Sequence, residues 1–186
     1  MREKECNILA ISGSLRRSSS NKALMKAAIL LAPIHMNFTV YEELNSLPHF
    51  NPDLDVEEGP IAVQDFRGKL RAADGLLICT PEYGNGVPGV LKNALDWVVS
   101  SAELMNKPAA IITASPSPRG GDKAMESLLL TLNMIHAEVS EGATLMIPHI
   151  GLKLNAQGEI TDEDTKQAVQ ALLRKLHTTC EEKQAL

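Results

Sequence analysis

Short runs that are apolar at every position alternate along the chain with longer segments whose apolar residues recur at helical spacing. Residues 7–12 (NILAIS), 76–80 (LLICT) and 109–114 (AAIITA) do not alternate in polarity, which is how strands covered on both faces read. Shorter strands are predicted at 38–41 and at 143–147, the latter stopped by Pro148. Between them, Leu24, Ala27, Ala28 and Leu31 mark a helix that Pro33 ends. Val63, Phe66 and Leu70 mark a second, started at Pro60 and ended before Gly75. Leu91, Leu95, Val98 and Val99 follow Pro88 in a third, and Met125, Leu128, Leu129, Leu132 and Ile135 form a fourth stripe. A last helix carries Val169, Leu172, Leu173 and Leu176, and Thr161 with Asp164 ahead of it resembles a capping box. The Pro- and Asn-rich residues 47–60 read as a long surface connection.

Strands alternating with helices of this length imply an α/β fold, because parallel neighbours need crossover helices and such crossovers are right-handed. Five strands predict a flavodoxin-like, doubly wound parallel sheet of order 2-1-3-4-5. No repeat or linker interrupts the pattern, so residues 1–186 are expected to form a single domain.

Composition narrows the class of function. The net charge is −5 and no basic run occurs, which argues against a nucleic-acid partner. Three widely spaced cysteines form no CxxC, so neither a disulfide framework nor a zinc site is suggested. Residues 1–7 are charged, and no apolar stretch approaches the ~20 residues that span a bilayer; a cytoplasmic protein is expected. Five histidines make no HxxxH or HExxH, so no metal is expected. There is no G-x-S-x-G elbow, and Cys79 lies inside an apolar strand, where a thiol is inert core. Aromatics are 3%, so stacking on a ligand must come from Tyr83, Trp97 or Tyr41.

In a sheet of this order ligands sit beyond the carboxyl ends of the strands, at the switch point between the first and third. Three loops rich in Gly, Ser, Asn and Pro meet there: residues 13–21, 81–87 and 115–121. The first ends at a helix N-terminus, where free N–H groups favour an anion, serine hydroxyls can donate, and Arg16 or Arg17 adds a charged fork. It contains neither GxGxxG nor GxxxxGK[ST], which points to a mononucleotide phosphate. The second has backbone amides freed by Gly84 and Gly86, and Tyr83 to flank a flat ring. The third can enclose the ring's other side.

These residues resemble the NADPH-dependent FMN reductase family. The strongest string is Pro81-Glu82-Tyr83 followed by Pro88-Gly89-Val90-Leu91-Lys92-Asn93-Ala94-Leu95-Asp96-Trp97, similar to PEYN…PGxLKNAxDW; Gly13-Ser14-Leu15-Arg16 with Ser19 and Asn21 resembles GSLRxxSxN. Residues 47–54 and the pairs Ser115-Pro116 and Gly120-Gly121 follow the pattern too. The resemblance implies Ser14, Arg16, Ser19, Ser20 and Asn21 around the FMN phosphate. It also implies Pro81, Glu82, Tyr83, Gly84 and Asn85 along the ribityl chain and ring, with Ser115 bordering the ring. The family's Asn after Tyr is Gly84 here, Ser18 and Ser20 replace a Gly and an aromatic, and Ser117 and Pro118 alter the third loop.

The implied activity is reduction of quinones or similar small acceptors by NADPH or NADH, in ping-pong fashion, with hydride passing through flavin N5 and no protein residue acting as acid or base. Arg119 is the candidate for the dinucleotide's phosphates, a solvated arginine being the alternative. A homodimer or homotetramer is implied, with the helix at residues 92–101 as a contact or Trp97 as core. A flavodoxin-type electron carrier and a non-catalytic flavin- or nucleotide-binding module are the rival classes.

Overall fold

The computed structural model describes residues 4–185; of the charged opening segment, residues 1–3 lie outside the described residues. Five parallel strands, β1 (Cys6–Ser12), β2 (Met36–Tyr41), β3 (Gly75–Thr80), β4 (Ala109–Ala114) and β5 (Thr144–Ile147), form one sheet of order β2-β1-β3-β4-β5. The expected order is therefore borne out. β1 pairs with β2 from Cys6 opposite Met36 and with β3 from Ile8 opposite Gly75, so the two inner carboxyl ends, Ser12 and Cys79, stand side by side.

Five helices cover the sheet: α1 (Ser20–Leu30), α2 (Ile61–Ala72), α3 (Gly89–Asp96), α4 (Asp122–Met134) and α5 (Glu163–Gln184). Strand residues alternate between two cores. Ile8, Ala10, Leu77, Cys79 and Ile112 pack under Leu24 and Met25 of α1 and Val169, Leu172 and Leu173 of α5. Leu9, Ile11, Leu76, Ile78 and Ile111 pack under Phe66 and Leu70 of α2, Leu91 and Leu95 of α3 and Leu128 of α4. Every residue of β3 and β4 is buried, which explains their unbroken apolar runs.

Several local expectations need correction. The helix expected at residues 92–101 ends at Asp96, a turn from Lys92, whose ammonium pairs with that carboxylate at 2.5 Å; Val99 lies beyond it and is exposed. Trp97 is fully buried, its Nε1 donating to Pro48 O at 2.8 Å, so it is core and offers no contact surface. The cap of α5 is Asp162, which accepts from Thr165 N, while Thr161 instead donates its hydroxyl to Lys153 O. Thr165 also donates its hydroxyl to Asp162 at 2.5 Å and Lys153 pairs with it at 3.0 Å, and these bonds hold the Asp162 carboxyl down at about 2. The connection at 47–60 is pinned as well as exposed: Arg67 pairs with Asp55 at 2.7 Å and donates to Trp97 O.

Candidate active site

β1 runs straight into Gly13, whose N–H donates to Cys79 O, carrying the strand pairing one residue past β1. A Cβ at Gly13 would lie 2.9 Å from Thr80 Cβ and 3.1 Å from Leu91 Cδ2, so only glycine lets the loop turn this close to β3. Ser14 follows, 1% exposed, and its Oγ accepts from Arg16 N at 3.4 Å. Ser19 caps α1 by accepting from Lys22 N at 3.3 Å, which leaves its own hydroxyl hydrogen available to an anion. Ser20 is the first residue of α1 and exposed. Arg16 and Arg17 are both exposed, and neither has a carboxylate partner among the described residues.

The second loop is a tight hairpin. Tyr83 and Gly86 exchange backbone bonds at 3.1 Å each, and the two residues between them, Gly84 and Asn85, have φ of 57° and 59°. That is a two-residue turn requiring left-handed backbone twice, which Gly and Asn tolerate best. The order Gly84-Asn85 thus satisfies the turn itself. Tyr83 is 47% exposed and its OH lies 3.5 Å from Ser14 Oγ, which joins the first loop to the second. Of the three aromatic rings considered for stacking, Tyr83 alone is available. Tyr41 is 3% exposed and tilted against Phe66 at 4.8 Å, and Trp97 is buried.

Glu82 ties the second loop to α4, the helix that follows the third. Its Oε2 accepts from Lys123 N at 2.8 Å and from Ala124 N at 3.1 Å, in the first turn of α4, and the residue before that helix, Gly121, has no side chain with which to cap it. The sequence gives no warning of this, because backbone N–H groups are anonymous and the partner lies 41 residues away. In the third loop Ser115 Oγ accepts from Ser117 N at 3.0 Å, and Thr113 donates to Gly120 O at 2.9 Å. Arg119 is exposed at the loop's tip.

Asn21 closes the ring of ties, donating from Nδ2 to Ala114 O at 3.1 Å, while its Oδ1 is buried with no partner among the described residues. A buried orphan acceptor costs about 1–3 kcal/mol unless something donates to it. A hydroxyl-bearing ligand that reached this atom from between the first and third loops would remove that cost. The residues present thus fit FMN: serine hydroxyls, an unpaired Arg16 and a helix N-terminus for its phosphate, and an orphan acceptor for its hydroxyls. Pro81 is buried at the root of the second loop.

A three-layer α/β sheet with its polar loops gathered at the switch point defines a flavodoxin-like protein built to hold one mononucleotide. Residues 6–151 match the family model described as NADPH-dependent FMN reductase. An NAD(P)H-dependent FMN reductase of Pseudomonas aeruginosa is 36% identical over 174 residues, 92% of this chain and 94% of that one. A quinone reductase of Escherichia coli is 34% identical over 166 residues, 87% of this chain and 88% of that one. Among solved structures, FerB, a flavoenzyme NAD(P)H:(acceptor) oxidoreductase from Paracoccus denitrificans, superposes with a TM-score of 0.86 at 29% identity, covering 95% of this chain and 98% of that one. The chain belongs to the NADPH-dependent FMN reductase family and is an oxidoreductase.

Proposed function

We propose that this enzyme reduces quinones or similar small acceptors with NAD(P)H through one opening, by a ping-pong sequence. The observation that carries the reading is the closure of three loops into one cup, through Ser14 with Tyr83, Asn21 with Ala114 and Glu82 with α4. Relatives named as a quinone reductase and a 2-hydroxy-1,4-benzoquinone reductase support the acceptor class. When bound, FMN supplies two-electron hydride chemistry at its N5 atom. The phosphate is held by Ser14, Arg16, Ser19, Ser20 and Asn21, by hydroxyls, a guanidinium and the N–H groups of α1. The backbone of Pro81, Glu82, Tyr83, Gly84 and Asn85 lines the ribityl chain and ring, Ser115 borders the ring, and Arg119 draws in the dinucleotide's phosphates. No side chain here is assigned a proton transfer.

The whole chain acts as one FMN domain, in the cytoplasm, as a homodimer or homotetramer. Leu130 and Met134, 69% and 54% exposed on α4, support such an assembly. No helix among the described residues is long and apolar enough to cross a membrane.

Since both substrates use the opening between Tyr83 and Arg119, the oxidised nucleotide leaves before the acceptor enters. Initial rates against quinone at several NAD(P)H concentrations then give parallel double-reciprocal lines. Intersecting lines refute the shared opening. Arg16→Ala is expected to weaken FMN by about 1.5–3 kcal/mol, the worth of a hydrogen bond to a charged group; fluorescence titration of the apoprotein with FMN reads it, and unchanged affinity removes Arg16 from the phosphate site.

A further inference from the structure

A groove of about 890 Å³ runs along α1 from the first loop of the cup towards Leu30 and Leu31. Its far wall is a small hairpin in which Leu154 bridges Ile160, held against α1 where Gly158 approaches Ala23 so closely that an added Cβ would lie 3.2 Å from it. Ala27, Leu154 and Ile160 make part of the floor apolar. Arg17, Lys22, Lys26 and Lys166 line it, against one carboxylate, Glu159. Glu159 is already engaged by Asn155 Nδ2 at 2.7 Å, and Lys166 reaches Glu163 at 3.9 Å. Arg17, Lys22 and Lys26 have no carboxylate partner among the described residues, and Lys22 and Lys26 stand one turn apart on α1.

The groove is continuous with the cup. Ser18, Ser19 and Ser20 are common to its mouth and to the phosphate loop, and the opposite lip is Gly151, next to Ile150, whose N–H donates to Ser115 O at 3.2 Å. It therefore starts between the loop that holds a flavin phosphate and the loop that borders the ring. A surface with unpaired cations over an apolar floor is complementary to a flat base carrying phosphates.

We propose that this groove seats the adenosine half of NADPH, with Lys22 and Lys26 on its 2′-phosphate and Arg17 at the groove's end of the pyrophosphate that Arg119 draws in. This rests on the reading that NAD(P)H reaches the flavin through the adjoining opening, and it adds a preference that the cup does not specify. NADH lacks the 2′-phosphate and leaves two like charges, one turn apart, without a counter-ion; NADPH supplies it.

The test titrates the FMN-loaded protein with adenosine 2′,5′-bisphosphate and, separately, with 5′-AMP, by calorimetry. The bisphosphate is expected to bind at least about tenfold more tightly than 5′-AMP, with an affinity that falls as salt is raised. The K22E/K26E double variant is expected to lose that difference and to lower the ratio of kcat/KM for NADPH over NADH at least about tenfold. FMN retention and far-ultraviolet circular dichroism check that the variant is folded, and K26E alone serves if the double variant is not, with a smaller loss expected. Equal binding of the two probes overturns the proposal, as does bisphosphate binding that survives K22E/K26E but falls in Arg119→Ala, which would move the phosphates to the third loop. Failure of the underlying reading looks different: neither nucleotide would then bleach the bound flavin.

Discussion

Replacing Glu82 with Ala removes the acceptor from Lys123 N and Ala124 N and leaves the first turn of α4 with no side-chain cap, since Gly121 offers none. A lost N-terminal cap costs about 1 kcal/mol, and a carboxylate at this end of a helix contributes a further ~0.3–1 kcal/mol through the helix dipole. Lys123 N lies at the exposed edge and water can reach it, so the sum is held to about 1–2 kcal/mol. For a chain of this length that lowers Tm by ~2–8 °C. The same carboxylate joins the second loop to the helix after the third, so if the ring sits between these loops as proposed, the loss is expected to be larger for the FMN-loaded protein than for the apoprotein. Thermal melts of both forms, with Glu82→Gln alongside, separate the contributions. The amide keeps an acceptor oxygen and gives up the charge, so Glu82→Gln should recover more than half of the loss. If Glu82→Ala melts with wild type in both forms, the bonds to α4 contribute nothing and the loops are held by other means.

Tyr41 is buried with its OH unpartnered among the described residues, and burial together with Asp65 and Glu43 pushes its pKa up to about 12. Tyr41→Phe removes the orphan and should stabilise by up to about 1 kcal/mol. Because the folded pKa lies above the unfolded one, ionisation of Tyr41 is penalised in the folded state, so stability is level below pH ~10 and falls as pH rises towards 12; urea unfolding at several pH values should show an alkaline decline that Tyr41→Phe lacks. Asp55 is held below its usual range by hydrogen bonds from Ser100 and Arg67. Its stabilisation is present above pH ~4 and lost as pH falls through the depressed folded value; Asp55→Asn should cost about 1–3 kcal/mol at pH 7 and flatten the acid limb, measured by the same method. Gly13→Ala puts a methyl 2.9 Å from Thr80 Cβ and should cost about 1–3 kcal/mol and reduce FMN content, read by denaturation and by flavin absorbance; full stability would show that the loop is not bound to β3 as described.

The parallel sheet was legible because β3 and β4 are covered on both faces and so show no polar position, and the switch-point loops followed from strand order alone. What could not be read depends on partners far away in the chain. Trp97 suits a surface contact or a core equally well until Pro48 O stands 2.8 Å from its Nε1. Thr161 and Asp162 are both competent caps, and the contacts that go with Asp162 as the cap include Lys153, whose ammonium reaches in from outside the helix to Asp162 and whose carbonyl accepts from Thr161. Residues 154–160 show only a Gly-containing turn, and nothing in their own pattern says that they will wall a groove against α1.

The ties within the cup bear on how FMN binding is driven. The first two loops are fixed by protein groups: Ser14 to Tyr83 of the second loop, Asn21 to the end of β4, and Glu82 to α4. Ordering such loops upon binding would otherwise subtract about 0.5–1.5 kcal/mol per immobilised side chain from the affinity. Here that ordering accompanies folding, and the group left unsatisfied, Asn21 Oδ1, would favour the loaded state if the proposed ligand donates to it. Arg16 and Arg119 are by contrast exposed and have no carboxylate partner among the described residues, so a bond from either to a phosphate would add chiefly charge, which salt screens. Affinity for the flavin should therefore depend weakly on ionic strength, whereas capture of the dinucleotide, if it rests on Arg119 and the α1 groove as proposed, should decline more sharply with salt than flavin retention does.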